Sequence, residues 1–283
     1  HNVPGDPLLN DRATTEAIRA NLQAKYGLDK PVTTQYVIYL GNLVRGDLGI
    51  SFTQENREVN DIIRDHFPVS AILGILAVIF AAAGGVLWGA LTAIYRNRWP
   101  DYVIMFLVIL GISVPSFVVA AISQLLLVNV NDLFGTTVLP VAGWGTVLHM
   151  LVPAMVLGLG TMAYLTRLMR SSMLEIVSSD FVRTAKAKGV PPARIFAKHQ
   201  LRNAILPVIT VLGPSIAAIT TGGFVVELVF AIPGLGRYFV QAVQQLDYTV
   251  IMGTTVFYGA FLVFMVIVVD VLYGFIDPRV RME

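Results

Sequence analysis

The sequence predicts an all-α protein that crosses a membrane several times. Three observations carry this: an apolar composition broken by few charges, uncharged windows as long as a bilayer is thick, and basic residues gathered into blocks. Over half of the residues are hydrophobic and 13% are charged, a balance outside that of ordinary soluble domains. Charge is absent from Phe67 to Tyr95, Tyr102 to Asn131, Leu133 to Thr166, Asn203 to Val226 and Tyr248 to Val269. Each window exceeds the roughly 20 residues that span a bilayer core as a helix, so five spanning helices are expected. Unbroken apolar runs lack the alternation of a barrel strand, and hydrocarbon leaves backbone groups no other way to be paired.

Ahead of the first window, residues 1–66 carry both charge signs and read as short amphipathic helices. Ile18, Leu22 and Tyr26 share a face before Gly27; Tyr36, Tyr39, Leu40 and Leu43 do so before Gly46; Val59, Ile62 and Ile63 lead into Pro68. The one domain boundary expected falls at His66, with residues 67–283 as the membrane domain. Inside the windows, Pro115, Pro153, Pro207, Pro214 and the pair Gly222 and Gly223 predict kinked helices whose freed backbone groups meet neighbours or a water-filled route.

Orientation follows from the basic blocks. Arg96 and Arg98 form one, the run from Arg167 to Arg202 a second, and Arg279 and Arg281 a third, while residues 132–145 hold no Lys or Arg. The positive-inside rule places these blocks in the cytoplasm and residues 1–66 outside. No apolar leader precedes His1, so a further N-terminal helix is expected in the natural chain. Residues 227–247 place a Pro233–Gly234 turn before a helix with Phe239, Val243 and Leu246 on one face, expected at the outer interface.

Several chemistries lack their residues. There is no cysteine and no G-x-x-x-x-G-K-[ST] loop, so neither a thiolate nor the usual nucleotide phosphate cradle is available. His1, His66, His149 and His199 are scattered, which argues against a shared metal site; His149 is expected to cap or pack near an outer helix end. Asp270 is the clearest intramembrane acid, near the inner end of the last span with Arg279 and Arg281 as candidate partners. A polar route could be faced by Ser113, Ser116, Ser123 and Gln124 on the second span, Thr161 and Tyr164 on the third, and Thr210, Ser215, Thr220 and Thr221 on the fourth. The same hydroxyls could instead bond back to their own helices. These residues leave a transporter subunit, an autonomous secondary transporter and a membrane enzyme all open.

The stretch "DFVRTAKAKGVPPARIFAKHQLRNAILPVI", Asp180 to Ile209, has more order than charge topology requires. Ser178 or Ser179 can cap a short helix through Lys188, Gly189 supplies a left-handed stop, and Pro191 and Pro192 open a second helix that continues into the next span. It resembles the cytoplasmic loop of membrane subunits of ATP-binding-cassette importers, whose consensus begins E-A-A with Gly six residues after the Glu. Aligned on Gly189, that triplet falls on Arg183, Thr184 and Ala185, and the consensus I-x-L-P falls on His199, Gln200, Leu201 and Arg202. Both departures are features of the oligopeptide and dipeptide permease branch. The chain is similar to the B-type permease of that branch through "PGDP" at Pro4, "YGLDKP" at Tyr26, "RGDLG" at Arg45, "SVPSF" at Ser113, "LPVAGWG" at Leu139, "IPGLG" at Ile232, "YTVIMG" at Tyr248 and "IDPR" at Ile276.

The resemblance implies a type I importer permease fold with six spanning helices in the full chain and five here. It implies a bacterial cytoplasmic-membrane location with a cytoplasmic C-terminus, and a coupling loop over 171–203. Expected partners are a second, C-type permease, two ATPase subunits that bind ATP and Mg, an extracytoplasmic peptide-binding protein and membrane lipid, but no nucleic acid. It further implies no catalytic residue, cofactor or metal in this chain. ATPase coupling is expected of Asp180, Phe181, Arg183, Thr184, Ala185, Lys186, Lys188, Gly189 and Arg194. Cargo is expected to be di- or oligopeptides, with nickel complexes or oligosaccharides as the alternatives within the branch.

Overall fold

The computed structural model describes residue 27 and residues 29–54 and 57–276; the first expected outer helix, Arg279 and Arg281 lie outside these, as does the side chain of Asp270. Among the described residues every extended element is helical apart from one isolated bridge, Ile50 to Glu58. The helices are α1 (Val32–Val44), α2 (Val59–Ile94), α3 (Trp99–Ser113), α4 (Ser116–Phe134), α5 (Val147–Val177), α6 (Asp180–Ala187), α7 (Pro192–Arg194), α8 (Arg202–Ala204), α9 (Leu206–Gly222), α10 (Phe224–Val229), α11 (Leu235–Gln245) and α12 (Tyr248–Ile276). Four stretches are long and apolar enough to cross a membrane: α2, α4, α5 and residues 248–269 of α12. The segments Pro192–Ala204 and Leu206–Thr220 meet at 43° and supply a fifth if counted as one span.

Helix α2 runs unbroken through residue 66 and through Pro68. The reason is packing: Val59 and Ile62 are fully buried with Ile63 against Leu235, Ala242, Val250 and Tyr258, so the expected third outer helix and the first span are one rod. The second window is two helices. Val114 is extended, with ψ 124°, because a residue preceding proline avoids the helical region, and Pro115 then opens α4. The third window starts late: residues 135–146 form a loop, and α5 instead extends past the window to Val177, carrying Arg167 and Arg170 on the spanning helix itself.

At the centre α2 and α5 pack along their length. Two apolar helices in lipid gain little from hydrophobicity and rely on close approach, which small residues allow. A Cβ at Gly89 would come within 2.5 Å of Met169 Cβ and 2.7 Å of the Thr166 carbonyl, and one at Gly158 within 2.5 Å of the Ala77 carbonyl. Around this pair, Ala93 of α2, Leu165, Met169 and Met173 of α5, and Ala204 and Val208 of α8 and α9 form one core cluster at the end from which α6 projects.

The segment ahead of α2 is tied down by a buried carboxylate. Asp247, 1% exposed, accepts from the Ser51 hydroxyl at 2.5 Å, the Thr53 hydroxyl at 2.9 Å and the backbone N–H groups of Phe52, Thr53 and Val250. One side chain thereby fixes residues 51–53 to the start of α12.

Candidate functional site: a basic elbow and the polar residues of the spans

The elbow begins where α5 ends. Helix α6 starts at Asp180, but neither serine caps it: the Ser178 and Ser179 hydroxyls donate back to the Glu175 and Ile176 carbonyls at 2.8 and 2.6 Å. These carbonyls of the last turn of α5 also accept from the Ser178 and Ser179 N–H groups, and hydroxyls held there cannot cap the next helix. The stop is as expected. Gly189 has φ +73°, with Gly189 N–H bonded to the Lys186 carbonyl and Val190 N–H to that of Ala185, the paired bonds of a Schellman turn.

Pro192 opens the return limb as N1 of α7, and the Pro191 carbonyl accepts from Arg194 and Ile195. The expected regular helix into the next span is replaced over Ile195–Leu201 by a π-helical turn, the kind of local unwinding that inserts extra residues into a helix. Val182, Ala185 and Ile195 are buried against one another, with Ile176 and Val190 beside them. The elbow is thus two limbs closed on a small apolar core, rooted through Phe196 and Leu201 in the cluster shared by α5 and α9.

Its outward face is basic. Asp180, Arg183, Lys186, Lys188 and Arg194 are exposed; Arg183 reaches Asp180 at 3.5 Å, but both side chains stand in solvent, where such a pair is worth well under about 1 kcal/mol. Phe181 is 44% exposed, an apolar tip among cations. Thr184 donates to the Asp180 carbonyl, and Ala185 faces the small core.

The residues expected along a polar route do not converge within this chain. Ser113 and Ser116 flank the break before α4 and are exposed, as is Tyr164; Ser123 and Thr161 are half-buried. Thr210, Ser215 and Thr220 donate to the carbonyls four residues earlier, of Leu206, Val211 and Ile216, and Thr221 lies outside the described side chains. Gln124 instead braces the fold, its amide donating to the carbonyls of Val229 and Val141 at 2.9 and 3.3 Å.

Beside Asp247, two more buried acids were not expected from the sequence. Asp101, 3% exposed as a side chain, takes a two-pronged bond from Arg170, with Nε to Oδ1 and NH2 to Oδ2 both at 2.8 Å, and a third from the Asn97 N–H. Glu227, 2% exposed, sits outside the spans on α10, its carboxylate against the start of α11. Burial pushes its carboxyl up, while bonds from the Ser70 hydroxyl and the backbone of Arg237 and Gly236 pull it back. Ser70 also accepts from Leu235 N–H at 2.9 Å. A Cβ at Gly234 would collide with that carboxylate, which explains the glycine of "IPGLG". Sequence signals existed for both: an acid in the first turn of a helix, and an acid six residues before a Pro-Gly-x-Gly turn. Neither is part of a chain of acids through the bundle; each is locked to one end of it. His149 pairs with Thr146 at 2.8 Å at the start of α5.

A bundle of apolar helices with a rigid basic elbow rooted across two spans defines a polytopic membrane protein built to present a projection on one side of the bilayer. Residues 85–282 match the family of binding-protein-dependent transport system inner membrane components, and the chain belongs to that family. It is 46% identical to the dipeptide transport system permease protein DppB of Bacillus subtilis and 39% identical to the oligopeptide transport system permease protein OppB of Escherichia coli K12, in each case over 99% of this chain and 90% of the relative. Among solved structures, the inward-facing MetNI methionine ABC transporter aligns with TM-score 0.57 and 14% identity, covering 76% of this chain and 96% of that one. An amino acid ABC transporter crystallised with histidines aligns with TM-score 0.54 and 17% identity over 78% and 95%. The fold is that of type I ABC importer permeases.

Proposed function

We propose that this chain is the B-type permease subunit of an ATP-driven importer of di- and oligopeptides. It works in the cytoplasmic membrane with its C-terminus inside, paired with a second, C-type permease, two ATPase subunits that bind ATP and Mg, and an extracytoplasmic binding protein that delivers cargo. The chain itself breaks no bond. The observation that carries the reading is the elbow: two limbs closed on Val182, Ala185 and Ile195 and rooted between α5 and α9 move with whatever grips them, and a rigid knob transmits displacement where a loose loop would absorb it. Its exposed Arg183, Lys186 and Lys188 around Phe181 suit an acidic cleft with an apolar floor. Exposed Ser113, Ser116 and Tyr164 suit a polar route completed at the junction with the second permease.

The test is peptide uptake in cells or proteoliposomes carrying Gly189→Val, or Arg183→Glu with Lys186→Glu. Membrane levels of the chain should hold and ATP hydrolysis continue, while uptake falls by an order of magnitude or more. Uptake unchanged in both variants contradicts the reading. Competition by unlabelled dipeptides and longer peptides, against nickel chelates and oligosaccharides, fixes the cargo class.

A further inference from the structure

At the elbow end of the bundle a crevice of about 390 Å³ opens between α3 and α5, walled by Trp88 of α2. Leu107, Gly111, Leu159 and Ala163 line it, and the Thr166 hydroxyl at its rim already donates to the Met162 carbonyl at 2.8 Å. Apart from the Thr166 hydroxyl and the Trp88 indole N–H its lining side chains are apolar, so its occupant is apolar. At Gly111 a Cβ would meet Ala163 Cβ at 3.4 Å and Leu159 at 3.6 Å, ordinary contact distances; the glycine leaves room rather than permitting a squeeze.

Length and charge say what fills it. Along α3 the lining runs from Ile104 to Val114, which at 1.5 Å per residue is about 15 Å, or half of the roughly 30 Å hydrocarbon core. A partner helix crossing the membrane packs along the whole core; a lipid tail needs one leaflet. One turn beyond Ile104 and Thr166 the Asp101–Arg170 pair closes the end. Beside it Arg96, Arg98 and Arg167 are exposed and, among the described residues, without an ion-pair partner, with Trp99 76% exposed at the same level. A basic group at the end of an intramembrane groove is the arrangement that holds an anionic headgroup.

We propose that this crevice binds one acyl chain of an anionic phospholipid from the elbow-side leaflet, its phosphate held by Arg167 with Arg96 and Arg98. The tail fills a void that would otherwise forfeit contacts along α3, and so steadies α3 on α5. The inference rests on the assigned function only in making that leaflet the cytoplasmic one.

The test is lipid analysis of the intact transporter purified in mild detergent, by extraction and mass spectrometry, for the wild type, Gly111→Leu and Arg167→Gln. Gly111→Leu should cut retained phospholipid by about tenfold, equivalent to 1.4 kcal/mol, and Arg167→Gln should erase the preference for phosphatidylglycerol over phosphatidylethanolamine. Equal lipid content in the wild type and Gly111→Leu overturns the proposal. Should Gly111→Leu not accumulate, a spin label on Gly111→Cys, in a chain with no other cysteine, reads the same site: broadening by lipid-borne nitroxides supports the proposal, and cross-linking to the second permease overturns it. ATP-driven peptide uptake, assayed in parallel, bears on the assigned function and leaves the lipid readout intact.

Discussion

Gly189 and Asp101 show what single residues hold. At φ +73° a side chain costs about 1–2 kcal/mol, and nothing lies within 4 Å of the Cβ position, so the penalty is backbone strain without collision. Gly189→Ala should therefore keep the fold and loosen the elbow, and Gly189→Val more so; hydrogen exchange of residues 186–195 should speed in that order while the spans stay protected. Asp101→Asn leaves a partly buried Arg170 without its carboxylate, a loss of about 3 kcal/mol by the measure of broken buried pairs. Thermal unfolding in detergent should drop accordingly, and removing both charges with Asp101→Asn and Arg170→Met should recover part of it. At this scale the sequence is legible where one residue carries its own conformational meaning, as Gly189 and Pro115 do. It is opaque where meaning sits in a pairing: Asp101 and Arg170 lie 69 residues apart, and each reads alone as an unremarkable charge at a helix end.

Among the elements, α10 and α11 make a corner whose keystone is Glu227. Its carboxylate gathers Ser70 of α2 and the first amides of α11, a place where the helix N-terminus favours negative charge. Glu227→Gln keeps an acceptor of the same shape and should be tolerated. Glu227→Ala strands a buried hydroxyl and two amides and should lower thermal stability by several degrees, with Gly234→Ala doing the same by crowding. Equal effects of Gln and Ala at 227 would count against this role. The helices themselves were plain from the apolar windows, but their ends were not. Continuity of α2 past residue 66 depends on Val59 and Ile62 finding partners on α11 and α12, and the π-helical turn at 195–201 follows no residue pattern: "IFAKHQL" is compatible with an ordinary helix. Thr210, Ser215 and Thr220 of α9 bond to their own backbone, the alternative that residue type alone could not decide.

For the whole molecule, the fastenings sit at both ends of the bundle, Asp247 and Glu227 at one and the α5–α9 cluster at the elbow. Under the proposed function a displacement of the elbow passes to α5 and α9, in which it is rooted, while α3, with only Asp101 and Val108 buried, and α4 leave most of their apolar surface exposed. The fold and the membrane class were readable from composition, windows and charge blocks. A polar route was not, because Ser113, Ser116 and Tyr164 are exposed on this chain's own surface and do not converge within it. The central claim, that the elbow is the handle by which a separate motor moves the spans, is tested most directly by a single cysteine. Lys186→Cys in this cysteine-free chain should cross-link to an ATPase subunit in intact membranes, with a yield that changes when ATP is added, while Val243→Cys on α11 should not. Cross-linking absent at position 186, or labelling of that cysteine by an impermeant reagent from outside the cell, would contradict the account.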